Sequence, residues 1–161
     1  MTTGEAPRPL KADISARDMR IGIVASRFND FAVSLLLSGA LSCLKEHGAT
    51  EDLIDVVRVP GAWEIPVFAR RLAFSKRMDA VIGLGVLIRG ETLHFDLIAR
   101  EVARGLASAA EESGVPVTFG VVVAETRQQA IDRAGGKNGN RGHEAALAAL
   151  EAAAAMRKLA R

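Results

Sequence analysis

Short apolar runs rich in β-branched residues alternate along this chain with longer stretches whose apolar positions recur at helical spacing. Ile21 to Ala25 (IGIVA) carries no polar residue and suits a strand buried on both faces. From about Asp30 to His47 apolar positions are dense, and the stretch ends at Gly48, a favoured residue just past a helix. Leu53 to Val59 is a second strand candidate, running into Pro60-Gly61. Ile65, Phe68 and Leu72 then fall at helical spacing, with Pro66 tolerable only in the first turn. Ala80 to Ile88 (AVIGLGVLI) reads as the third strand. Thr92 to Ser113 predicts a helix with Ile98, Val102 and Ala109 on one stripe, Gly114 just past its end and Pro116 beyond. Val117 to Val123 is the fourth strand, and Thr126 with Gln129 fits a capping box opening a short helix. After the turn AGGKNGNRG, an Ala/Leu-rich helix runs from about Glu144 to the end.

Apolar strands alternating with helices imply a parallel sheet covered on both faces. The expected fold class is therefore α/β, three layers α/β/α, with a flavodoxin-like four-stranded parallel sheet flanked by helices. Ligands in such folds bind beyond the carboxyl ends of the strands, which directs attention to Ser26–Asp30, Pro60–Glu64, Arg89–His94 and Ala124–Thr126. Residues 1–18, with Gly4, Pro7, Pro9 and scattered charges, read as a flexible or extended arm, and residues 19–161 as one domain. The arm has no apolar leader segment, and no stretch is long and apolar enough to span a membrane. A cytoplasmic location is the expectation.

Composition narrows the choice of partner. Among 161 residues, 21 Lys and Arg against 19 Asp and Glu leave a net charge of +2, too balanced for a nucleic-acid binder or a polybasic membrane patch. The pI near 9.0 does not overturn this, because with no Tyr and one Cys little titrates above neutrality. A single cysteine, Cys43, rules out a disulfide framework within the chain. Aromatic residues are scarce: six Phe, one Trp and no Tyr, so where they sit matters.

The strand-end segments carry the candidate chemistry. Phe28 and Asn29 in SRFND suit either a helix cap, Asn29 or Asp30, with Phe28 as a hydrophobic staple, or an aromatic face for a flat ligand with an amide beside it. In VPGAWEIP, Trp63 could simply pack and Glu64 complement a helix dipole. Two aromatics at neighbouring strand ends also suit a planar heterocycle, with Glu64 accepting hydrogen bonds from hydroxyls or amides. Gly90, Glu91 and Thr92 lead into the longest helix, where backbone N–H groups could hold phosphate if Glu91 points away. His94 follows in the first turn, and histidine is the side chain best suited to moving protons near neutral pH. Arg133, Lys137 and Arg141 place three cations around a flexible turn, either a solvated loop or a phosphate clamp.

Other motifs fail. GLGVLIRG has glycines at 83, 85 and 90, off the dinucleotide spacing, and AGGKNGNRG lacks both a preceding strand and a GK-[ST] end. His47, His94, His143 and Cys43 are too scattered to suggest a metal site.

SRFND, VPGAWEIP, GVLIRGETLHFD, FGVVVAETRQQAIDRAG and GKNGNRGHEAALAALE together resemble the 6,7-dimethyl-8-ribityllumazine synthase family, in order and with compatible spacing from Arg20 to Leu150. The resemblance implies condensation of 5-amino-6-(D-ribitylamino)uracil with 3,4-dihydroxy-2-butanone 4-phosphate, the penultimate step of riboflavin synthesis, with neither metal nor redox cofactor. It implies Phe28 as the stacking aromatic with Asn29 beside it, Ala62 and Trp63 beside the pyrimidine, and Glu64 on the ribityl chain. Val86, Leu87 and Ile88 would line the pyrimidine through backbone groups. Gly90, Glu91 and Thr92 would form the phosphate turn. His94 would transfer protons, and Arg133 would act on the phosphate as a catalytic and binding residue. Phe119 would reach the site of a neighbouring subunit, and Arg141 stands where many members carry a lysine. The resemblance also implies pentamers with active sites between neighbours, some members assembling into 60-subunit icosahedral capsids, and riboflavin synthase as a candidate partner. The AGGKNGN turn is similar to that of capsid-forming members. The remaining aromatics, Phe31, Phe68 and Phe74, are expected in ordinary packing, with Phe95 directly after His94. The rival readings are a non-catalytic flavin or lumazine carrier and a shell-forming protein of the same fold.

Overall fold

The computed structural model describes residues 9–11 and 13–160. Strands β1 (Ile21–Ser26), β2 (Ile54–Val59), β3 (Ala80–Ile88) and β4 (Val117–Ala124) form one parallel sheet in the order β2-β1-β3-β4. Between and after them run helices α1 (Asp30–Glu46), α2 (Ile65–Phe74), α3 (His94–Ser113), α4 (Arg127–Arg133) and α5 (Arg141–Leu159). Side chains alternate across the strands, so Ile21, Ile23, Ile82 and Leu84 meet α1 and α5 through Leu36, Leu44 and Leu150. On the other face Val24, Val59, Val81 and Val121 meet α2 and α3 through Ile65 and Leu106. The three-layer α/β/α arrangement is the expected one.

The chain leaves β1 toward β2 and then returns across β1 to β3, so the connections diverge between β1 and β3. Such a divergence opens a crevice at the carboxyl ends of the two strands, because their following segments go to opposite sides. Strands β1 and β3 are buried almost throughout, as their apolar runs require. The edge strands are not: Val56 on β2 and Phe119 and Val123 on β4 stay exposed.

Element ends show where local signals were sufficient. Gly114 takes a left-handed conformation with φ 73° and closes α3, a geometry that favours glycine. Thr126 Oγ1 accepts from Gln129 N–H at 3.2 Å, while Gln129 Oε1 accepts from Glu125 N–H at 2.8 Å, a capping arrangement displaced by one residue on the return bond. Strand β2 begins at Ile54 because Glu51–Leu53 form a single 3-10 turn. Helix α3 begins at His94 rather than Thr92, and α5 at Arg141 rather than Glu144. Asn140 Oδ1 accepts from Gly142 and His143 N–H at 2.9 and 3.1 Å, which starts α5 early. The expected open turn before it is a small antiparallel hairpin of β5 (Ala134–Gly136) and β6 (Gly139–Asn140).

Residues 1–8 of the expected arm lie outside the described residues. Ala16 and Met19 are buried, Ala16 N–H donates to the His47 carbonyl at 2.8 Å, and Arg157 on α5 donates to the Asp18 carbonyl at 2.9 Å. Among the described residues no helix is long and apolar enough to cross a membrane.

Candidate active site

The turn after β1 extends the sheet before it bends away. Arg27 and Phe28 N–H donate to the Val59 and Pro60 carbonyls at 2.8 and 3.0 Å. Asn29 then adopts a left-handed conformation (φ 61°, ψ 40°), one that Asn tolerates better than most residues. Its carbonyl accepts from Ala32 and Val33 N–H and begins α1, but its side chain does not cap the helix. Asn29 Nδ2 instead donates to the Val86 carbonyl on β3 at 3.0 Å. The side-chain cap allowed by the sequence is therefore corrected: the amide ties two strand ends together. Phe28 is 71% exposed, so it is no packed staple but a ring presented above the sheet.

The segment after β2 turns through a short 3-10 helix, Ala62–Glu64, into α2, with Pro66 in the first turn. Glu64 Oε2 accepts from Gly61 N–H at 2.9 Å, and Glu64 N–H donates to the Gly61 carbonyl at 3.3 Å. This reciprocal closure turns Trp63 outward, 59% exposed.

After β3, Gly90 to Leu93 lead to the start of α3, where His94 N–H donates to Thr92 Oγ1 at 3.4 Å. Arg89 does not face this turn. Its guanidinium bonds Glu125 Oε2 at 2.6 Å and Asp96 Oδ2 at 3.2 Å and lies over the Phe95 ring at 4.7 Å. The bond to Glu125, then that to Asp96, raises its pKa, so Arg89 is a fixed cation joining the ends of β3 and β4 to α3. Sequence reasoning missed this tie, whose only trace was an arginine seven residues before an aspartate.

These three segments enclose a crevice of about 340 Å³ at the divergence of β1 and β3. Phe28, Asn29, Ala62, Trp63, Val86, Leu87, Ile88, Gly90, Thr92 and His94, all expected at the site, line it together. Gly61, within the expected Pro60–Glu64 segment, lines it as well, as do Phe95 and Ile98, which were not anticipated there. Phe95 is nearly buried, which places it behind His94 as a wall. The two exposed aromatics, the strand-end backbone and the helix start thus meet within one chain.

Other expected residues lie elsewhere. Glu64 faces a neighbouring groove with Trp63, Glu101 and Arg104, and Glu91 is exposed on the turn. Arg133 is exposed at the end of α4 and is not part of the crevice wall. Lys137 approaches the largely buried Asp132 at 3.6 Å, and Arg141 pairs with Glu144 at 2.7 Å. These two cations turn to their own carboxylates rather than toward a common point. Phe119 projects from the first half of β4, away from the carboxyl ends of the strands.

The packing expectation holds for Phe31, which packs against the core, and fails for Phe68 and Phe74. Phe68 and Phe74 are 42% and 45% exposed on α2, because that helix has one apolar face inward and a second outward. With Val67, Arg70 and Arg71 they line a separate concavity of about 430 Å³. It is larger than the crevice but lacks a helix start, an imidazole or strand-end backbone groups, so it is the poorer candidate for chemistry. Phe31 lies under the Arg127 guanidinium at 3.6 Å.

The family model for 6,7-dimethyl-8-ribityllumazine synthase matches residues 18–157. Enzymes described as 6,7-dimethyl-8-ribityllumazine synthase in two strains of Clostridium kluyveri are 52% identical over 146 residues, covering 91% of this chain and 95% of each relative. The one of Aquifex aeolicus is 56% identical over 140 residues, covering 87% of this chain and 91% of that relative. Every segment of the crevice lies inside these matched spans.

Proposed function

The chain belongs to the 6,7-dimethyl-8-ribityllumazine synthase family, and from that premise we infer how its crevice works. The protein condenses 5-amino-6-(D-ribitylamino)uracil with 3,4-dihydroxy-2-butanone 4-phosphate to give 6,7-dimethyl-8-ribityllumazine, phosphate and water. In our reading the pyrimidine stacks on Phe28 with Trp63 and Ala62 beside it, each aromatic contact adding about 0.5–1.5 kcal/mol beyond burial. Backbone groups of Val86, Leu87 and Ile88 meet its edge, and Glu64 accepts from the ribityl hydroxyls at the rim. The phosphate of the second substrate sits at the start of α3, where Gly90 to Thr92 offer main-chain N–H groups and the helix dipole favours an anion. Arg133, on a long flexible side chain, closes over it, with Arg141 as a further candidate contact. Neither metal nor redox cofactor is called for by these steps.

His94 then stands between the two substrate positions. The ring amine attacks the ketone carbon, and His94 moves the proton as the carbinolamine loses water to form the imine. Phosphate leaves with its bonding electrons, stabilised by the α3 start and Arg133. Tautomerisation frees a second carbonyl, the ribitylamino nitrogen attacks it to close the ring, and loss of a second water completes the product, steps for which orientation supplies most of the acceleration.

The observation that carries this reading is the convergence of Phe28, Trp63, the β3 end and His94 on one crevice at the divergence of the strands. At about 340 Å³ it lies near the small end of the roughly 300–1,000 Å³ typical of ligand pockets, and it is open on one side. A second copy supplying Phe119 would close it. The exposed apolar residues Val67, Phe68 and Leu97, together with Phe119 and Val123 at the sheet edge, support such an interface. We therefore propose a pentamer with sites between neighbours and further association into a 60-subunit shell. Riboflavin synthase is the partner that would consume the product. Residues 19–161 make a single domain, against which Ile14 and Ala16 also pack, and the cytoplasm is the place of work, consistent with the single buried cysteine.

Following lumazine absorbance from the two substrates, corrected for uncatalysed condensation, tests the reading. Enhancement is expected. None would leave the non-catalytic lumazine-binding or shell-forming alternative.

A further inference from the structure

Phe28 is an exposed ring on a turn, yet that turn is held from both strands that flank β1. Toward β2, the β1 ladder continues through Arg27 and Phe28 N–H to the Val59 and Pro60 carbonyls. Arg58 of β2 adds a side-chain tie on the same flank: its Nη2 donates to the Ser26 carbonyl at 3.2 Å and to Asp30 Oδ1 at 2.5 Å. Ser26 and Asp30 bracket the turn on either side of Phe28. Toward β3, Asn29 reaches across the crevice floor and donates to the Val86 carbonyl at 3.0 Å. Asn29 does this from a left-handed backbone conformation, which persists only where surrounding contacts determine it.

Stability is a poor account of this arrangement. The side chains of Arg58 and Asp30 are 34% and 58% exposed, and ion pairs in that setting stabilise a fold little. Orientation is a better one, since a planar guanidinium that engages both ends of a five-residue turn fixes its shape. We propose that Arg58 and Asn29 are positioning residues that set the plane of the Phe28 ring for the pyrimidine, Arg58 acting wholly through the turn because it lies outside the crevice lining. The inference rests on the reading of Phe28 as the pyrimidine platform. It also changes what Asn29 does, from a ligand-facing amide to a strut between β1 and β3.

Steady-state kinetics with each substrate varied in turn test it on Arg58→Ala, Asn29→Ala and the double variant, with Phe28→Ala as reference. Arg58→Ala should raise KM for the pyrimidine substrate about three- to tenfold, the scale of one ordinary lost hydrogen bond, and leave KM for the phosphate substrate unchanged. The double variant should fall short of the product of the single effects, because both residues hold one turn. Arg58→Lys, which keeps the charge but not the fork, should give a smaller shift of the same kind, and it carries the test if Arg58→Ala does not fold. Trp63, the only tryptophan, lines the crevice, so quenching of its fluorescence by the pyrimidine substrate reads binding apart from turnover. An unchanged pyrimidine KM, or an equal rise for both substrates, overturns the proposal. If Phe28→Ala raises the pyrimidine KM and Arg58→Ala does not, the brace alone falls. If Phe28→Ala has no effect, the platform reading falls and the brace with it.

Discussion

His94 opens α3 on the crevice wall, backed by the nearly buried Phe95 and one turn from the Arg89–Asp96 pair. In the proposed role of proton carrier, and with no side-chain hydrogen-bond partner among the described residues, it should be replaceable at a cost. His94→Ala is expected to lower kcat about 10²-fold, at the low end for a lost acid–base group, because substrate positioning survives. Arg133→Ala should instead raise KM for the phosphate substrate most, and steady-state kinetics separate the two outcomes. Cys43 tests the core at the same scale. Burial, then the charge of Glu46, pushes its thiol up to about 11 from 9.0. A raised thiol pKa contributes stability that is complete below pH 9.0 and is lost as pH rises toward 11. Native protein should therefore resist alkylation at neutral pH and react after unfolding. The stability difference between the native chain and Cys43→Ala should shrink over that alkaline interval, as denaturant unfolding would measure. Residue identities at the site were legible because strand ends in an α/β chain collect ligand chemistry. The partner of each side chain was not, and Asn29 is the plain case: Asn before a helix reads as a cap, yet its acceptor is Val86, 57 residues away.

Strands and long helices followed from periodicity, and their ends from caps such as Gly114 and Thr126. What escaped at this scale was short or two-sided. Strands β5 and β6 span three and two residues, too few for any period to show. Helix α2 has a second apolar face that reads as core in sequence and is open in the fold. The start of α5 is set by Asn140, which caps Gly142 and His143 and also donates from Nδ2 to the Leu35 carbonyl of α1 at 3.0 Å. Losing the cap and that tie in Asn140→Ala should destabilise the protein by about 1–2 kcal/mol in thermal or denaturant unfolding. Gly142 beside it permits the contact, since a Cβ there would lie 2.0 Å from the Leu36 carbonyl oxygen.

Across the whole molecule, the crevice opens at the margin of the chain while aromatic and aliphatic side chains stay exposed on α2, α3 and β4. A monomer rarely leaves that much apolar surface uncovered, so sedimentation or light scattering should return a mass many times 17.1 kDa, a multiple of five chains. Dilution to monomers should abolish turnover if Phe119 completes the neighbour's site. The sequence by itself was enough for layer order, parallel sheet and family, because hydrophobic period and turn residues are local properties that the chain carries wherever it folds. It was enough, too, to pick out most of the residues that line the crevice, though not Phe95 or Ile98, and it named others, Arg133 and Phe119 among them, that lie elsewhere. Folding in three dimensions alone decided which polar groups hold one another: Asn29 to β3, Arg58 to both ends of the Phe28 turn, Arg89 to Glu125 and Asp96, Arg141 to Glu144. Those choices depend on distances between elements far apart in sequence, and a hydrogen bond is fixed by where its acceptor lies, which no local pattern records.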